Sequence, residues 1–223
     1  MRTHRHDEVA HLIADAIAKS HHERPWHLNI SAGRRFQDST APLTDTIPSW
    51  ALPGNTLKPD LVLILGWSAG MPVPSRPTSD IEFIIGDVTF GRGHASTTRI
   101  IKKQQKYQQL ATALRARGWS VRTVQAATCA PPPRTDNIAQ SAPQHLHCND
   151  IPVFSFGISG EIYASSLHAF RSFGINEQQC KTLASTIHIK SVSWAADILR
   201  TRRAIDKHPH THQMPVAPRE GEG

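Results

Sequence analysis

"LKPDLVLILGW", residues 57–67, places a carboxylate directly in front of an apolar run. Leu61, Val62, Leu63, Ile64 and Leu65 follow Asp60 without a polar interruption, which reads as a strand over 60–66 covered on both faces. A second run of the same kind, "IEFIIGDVTF" at residues 81–90, carries Asp87 in its second half. Central strands are where a lone carboxylate is least welcome, because a buried ionised group is costly unless it is paired or bound to a metal. Two such acids at neighbouring strand edges suit a hard divalent cation, which prefers carboxylate oxygens. The plainer reading is that Asp60 opens a strand after a turn and Asp87 closes one.

The segment after the second strand adds a cation. A helix is expected from about Ser96 to Arg117, stopping at Gly118. At 100° per residue, Ile100, Tyr107, Leu110, Ala111 and Leu114 form one stripe that faces the sheet. Lys103 falls inside that stripe, Lys106 lies on its flank and Lys102 points away. A lysine on the sheet-facing side needs an anionic partner or a route to water along its own stem. Two aspartates and an inward lysine are the parts of a metal-dependent phosphodiesterase, in which the cation activates water and the lysine stabilises developing charge.

Working outward, Val9, Leu12, Ile13, Ala16 and Ile17 give a first helix ending before Pro25, and "WHLNI" at 26–30 gives a short strand. Residues 31–56 carry the Gly, Pro, Ser and Thr punctuation of a long loop or irregular hairpin. "WSVRTVQAAT" (119–128) reads as a strand and "IPVFSFGIS" (151–159) as a last short strand or turn. Two helices follow, at about 160–173 and 176–205, divided at Gly174. A strand, a crossover helix and a further strand imply an α/β layer with a mixed sheet. The expected division is a core over 1–128, a loop over 129–150, a helical extension over 151–206 and a disordered tail over 207–223.

Composition sets the bounds. A chain of 223 residues suits one domain with appendages, and 39% apolar content with 16 prolines leaves part of it to loops and tail. No apolar stretch is long enough to span a membrane, and the N-terminus lacks a secretory signal. Three cysteines without paired spacing favour a reducing, intracellular setting over a disulfide framework or zinc knuckle. The net charge of +7 permits a polyanionic partner. His4, His6, His11, His21 and His22 read as decoration of the first helix and its ends, and His208, His210 and His212 as part of a solvated tail.

"KPDLVLIL", "IEFIIGDVTF" and "KKQQKYQQLATALRARGWSVRTV" together resemble the restriction-like endonuclease domain of site-specific non-LTR retrotransposons, a branch of the PD-(D/E)xK nuclease class. "RHDEVAHLIADAI" is similar to that domain's first helix, and the segment from Gly157 to Arg203 to its helical C-terminal extension. The motifs are short, and their order and spacing across residues 5–203 carry the likeness.

The resemblance implies a restriction-endonuclease-like α/β fold, a mixed sheet flanked by helices. It implies Mg²⁺-dependent hydrolysis of DNA in the nucleus, with Mn²⁺ as a substitute. Asp60 and Asp87 take the two metal-ligand positions. The lysine that the wider class places two residues after the second acid is replaced by Thr89, and the retrotransposon branch puts it on the following helix. Lys103 and Lys106 both fit there, and helical geometry favours Lys103. Glu8 is a candidate accessory ligand, set against an ordinary helix-start carboxylate. Arg34, Arg35, Arg92, Arg99, Arg115, Arg117 and "RTRR" at 200–203 are available for phosphate contacts. The family's zinc knuckle is missing, since "HLHC" at 145–148 supplies too few ligands, and so is the reverse transcriptase. The chain is therefore expected to be a free-standing derivative, a domesticated relative or a decayed fragment. The rival expectation is an inactive nucleic-acid-binding remnant or scaffold that keeps the fold.

Overall fold

A computed structural model describes residues 2–31, 47–91, 93–123, 151–158 and 160–207. The loop at 129–150, the tail from 208 onward, Arg34, Arg35, Arg92 and the "HLHC" segment lie outside the described residues. The chain runs α1 (Arg2–Ser20), β1 (Trp26–Ile30), β2 (Leu61–Leu65), β3 (Glu82–Gly91), α2 (Gly93–Ala116), β4 (Ser120–Arg122), β5 (Val153–Gly157), α3 (Ala164–Ser172) and α4 (Glu177–Lys207). It is an α/β protein with an open, mixed sheet between helices.

Both apolar runs are fully covered strands: every residue of β2 is buried, and β3 is buried from Phe83 to Thr89. β1, β2 and β3 pair antiparallel in that order. β3 is long enough to hold two further partners on separate stretches. Its first residues pair parallel with β4 through Glu82–Ser120 to Ile84–Arg122, and its last with β5 through Asp87–Val153 to Gly91–Gly157. The segment expected to open a helical extension therefore begins with a strand of the core sheet. β2 stops opposite Gly86, so the second half of β3 has β5 on one side and the end of β2 on the other.

Alternation along the strands divides the core in two. Leu61, Leu63, Leu65, Ile84 and Val88 face α1, α3 and α4, meeting Val9, Ile13, Ile17, Phe170, Phe173 and Ile187. Val62, Ile64, Phe83 and Ile85 face α2, meeting Tyr107, Leu110, Ala111 and Leu114. Gly86 lets the first layer close, since a β-carbon there would stand 2.7 Å from the Phe173 ring and 3.0 Å from that of Phe154. α2 ends where Gly118 takes a φ of 89° and the Trp119 N–H returns to the Leu114 carbonyl. α4 starts on a reciprocal cap, in which Asn176 Oδ1 accepts from the Gln179 N–H at 2.9 Å and Gln179 Oε1 accepts from the Asn176 N–H at 3.2 Å. No helix among the described residues is long and apolar enough to cross a membrane.

Candidate active site

The register of β2 and β3 brings the two aspartates together. Continuing one residue beyond the Leu61–Gly86 pair sets Asp60 across from Asp87. Directly opposed residues of antiparallel strands carry their β-carbons about 4.5–5.5 Å apart. Asp87 follows Ile81, Phe83 and Ile85 on the row facing α2, so its carboxylate enters a dry layer and is 0% exposed. Asp60 stands just before the strand proper. Its Oδ2 accepts from the Val88 N–H at 2.8 Å, satisfying a donor on β3 that lies past the end of β2.

α2 then adds the cation. Lys103 Nζ lies 2.5 Å from Asp87 Oδ2, its side chain one-third exposed while the carboxylate is sealed. Lys106 is exposed and donates to the Tyr107 hydroxyl at 3.1 Å. That hydroxyl donates in turn to the Lys58 carbonyl at 2.9 Å, tying α2 to the residues ahead of Asp60. Lys102 is exposed, as its place on the helix requires.

The electrostatics of the two acids differ. Burial and the neighbouring charge of Asp60 push the Asp87 carboxyl up to about 6, against the opposing pull of Lys103 and of the Tyr107 hydroxyl. Burial also acts on Asp60, but it is outweighed by the His6 hydrogen bond and charge, the Val88 N–H and Lys103, so its carboxyl is held below the usual range. Among the described residues neither oxygen of Asp87 has a hydrogen bond of ordinary geometry: Lys103 meets it as an ion pair, and the nearby Tyr107 hydroxyl is turned to the Lys58 carbonyl. A buried carboxylate with unfilled acceptor sites beside a second carboxylate offers the hard oxygen donors that suit Mg²⁺ or Mn²⁺. No group of three or more His, Cys, Asp or Glu with metal-ligand spacing is present among the described residues. Water and substrate oxygens would have to complete the shell, as is usual for Mg²⁺.

His6 was missed by the sequence reading. It is not decoration: its Nε2 lies 3.0 Å from Asp60 Oδ2, and its Nδ1 lies 3.2 Å from Asp7 Oδ1. The signal was present, because half-buried His6 stands one turn ahead of the buried stripe of Val9, Ile13 and Ile17. Burial would lower its basicity, but Asp60 above all, then Asp7 and the charge of Asp87, raise it to about 9. Glu8 is turned elsewhere, to Lys190 on α4 and to His4 at 3.6 Å. Two arginines expected to meet phosphates are used inside the fold: Arg99 donates to the Phe90 carbonyl and Arg115 to the Val121 carbonyl at 3.0 Å. Arg117, Arg202 and Arg203 are exposed.

Compared with family models, curated proteins and solved structures, the chain gives no match.

Proposed function

We propose that the chain is a metal-dependent DNA endonuclease of the restriction-like kind carried by site-specific non-LTR retrotransposons, hydrolysing phosphodiester bonds. The observation that carries this reading is the convergence of Asp60, Asp87 and Lys103 from three separate elements on one point of the sheet. Asp60 and Asp87 would hold Mg²⁺ or Mn²⁺ between opposed strand positions. When bound, such a cation neutralises phosphate charge and makes water a better nucleophile. Lys103 keeps a positive charge beside the acid pair, where it orients the attacking water or meets the phosphate. The apolar rows around Asp87 exclude bulk water and strengthen each of these interactions.

One observation favours an inactive binder instead. Asp87 is wholly enclosed and its charge is already met by Lys103. Cleavage assays separate the two. Purified protein should nick or cut DNA with Mg²⁺ or Mn²⁺ and fail in excess EDTA, and Asp60→Ala and Asp87→Ala should each abolish cutting while the chain stays folded. A protein that binds DNA and cuts none of several substrates with either metal is the remnant.

A further inference from the structure

His6 reaches the acid pair from the opposite layer of the fold. α1 lies on the face of the sheet away from α2, held by Val9, Ala10, Ile13 and Ile17. One turn before Val9, the His6 ring is clamped at both ends, by Asp7 Oδ1 at 3.2 Å and by Asp60 Oδ2 at 3.0 Å. The Val88 N–H meets the same Asp60 oxygen at 2.8 Å. Two donors directed at Oδ2 fix the rotation of the carboxylate and do not engage Oδ1. Both ring nitrogens are spent on carboxylates, so the ring has no lone pair directed at a cation.

We infer that His6 is a positioning residue for the cation site: it locks the Asp60 carboxylate so that Oδ1 is held ready as the ligand. The inference rests on the reading of Asp60 and Asp87 as a metal centre. Partners that orient a ligating carboxylate change metal affinity without touching the metal, typically by about 10- to 100-fold.

The test is Mn²⁺ binding to the full chain, followed by electron paramagnetic resonance, with folding checked by circular dichroism. His6→Phe keeps the ring volume and loses both nitrogens, so the Mn²⁺ dissociation constant should rise about 10- to 100-fold. His6→Gln returns an amide N–H toward Asp60 and should recover most of that loss, which a purely packing role for the ring would not allow. If His6→Phe does not fold, His6→Ala carries the same measurement. Unchanged Mn²⁺ affinity in a folded variant that lacks both nitrogens overturns the inference. Nitrogen hyperfine coupling to bound Mn²⁺ that vanishes in His6→Phe also overturns it, by making the ring a direct ligand. If Asp60→Ala and Asp87→Ala bind Mn²⁺ as well as the wild type, the metal-centre reading itself fails. If those two lose binding and His6→Phe does not, only the role of His6 fails.

Discussion

Asp87→Asn should make the metal-free protein more stable while removing its proposed activity. The carboxyl stands at about 6 in the fold against an ordinary 3.8, raised by burial and by the charge of Asp60. Keeping it ionised near neutral pH therefore costs about 3 kcal/mol. The direction in pH follows from that elevation. The stability associated with the protonated carboxyl is fully present below about 3.8 and is lost as pH rises through about 6. An asparagine carries no charge to hold, although burying its amide without full hydrogen bonding takes back about 1 kcal/mol or more. The net gain near neutral pH is about 1–2 kcal/mol, roughly 2–8 °C in melting temperature for a chain of this size. Thermal unfolding in EDTA from pH 4 to 7.5 tests it. The advantage of the variant should be small or absent at pH 4, grow through pH 5–6 and level off by pH 7. A difference that is flat over this range, or an asparagine variant less stable at pH 7 than the wild type, refutes the assignment of strain to this carboxylate.

The remaining predictions concern the lysines, the charge and the core. Lys103→Ala should lower cleavage by about 10²-fold or more, with Lys106→Ala costing less and Lys102→Ala least; equal small effects in a cleavage assay place the catalytic lysine elsewhere. Duplex DNA affinity should fall steeply with salt and survive Asp87→Asn, while replacing Arg202 and Arg203 together by Ala should lower the slope of log affinity against log salt by about 2. Gly86→Ala should destabilise the chain by about 1–3 kcal/mol in denaturant unfolding, because its β-carbon would press on Phe173 and Phe154.

The parts of the fold set by local pattern were legible. The unbroken apolar runs marked β2 and β3, and the 100° stripe of α2 put Lys103 toward the sheet and Lys102 toward solvent, where they stand. What periodicity does not encode is pairing. The opposition of Asp60 and Asp87 depends on β2 meeting β3 in the register Leu61–Gly86, which either strand alone leaves open. β5 was ambiguous because five residues of "VFSFG" become a core strand only when the second half of β3 accepts them. His6 sits on the same stripe as Val9, yet its partner Asp60 is 54 residues away, so its polar end had no visible reason. Arg99 and Arg115, available for phosphate contacts on charge, each also donate to a main-chain carbonyl, a tie that charge alone does not reveal.

Two acids on β3, Glu82 and Asp87, permit a direct comparison of what a carboxylate on this strand is for. At its start, Glu82 takes two hydrogen bonds from Arg122, at 3.0 and 2.6 Å, and a third from Arg24 at 3.3 Å. Those bonds occupy both oxygens, no second carboxylate opposes the group, and the side chain keeps 20% exposure. That is the pattern of an ion pair that secures an edge, joining β3 and β4 to the turn ahead of β1. Midway along the strand, Asp87 has no exposure, no hydrogen bond of ordinary geometry among the described residues, and Asp60 across the strand. Lys103 offsets part of the charge by placing an ammonium group in the stripe that packs α2 on the sheet. An apolar pair at positions 87 and 103 would pack this layer with no charge to hold. Local conflicts with good packing gather where a chain binds or reacts. The comparison predicts opposite signs. Glu82→Gln should lower stability by about 1–2 kcal/mol, through loss of charge-assisted bonds in a partly screened setting. Asp87→Asn should raise it in the same buffer. If both substitutions destabilise alike, Asp87 is a structural acid like Glu82, and the case for a cation between the two aspartates loses its energetic support.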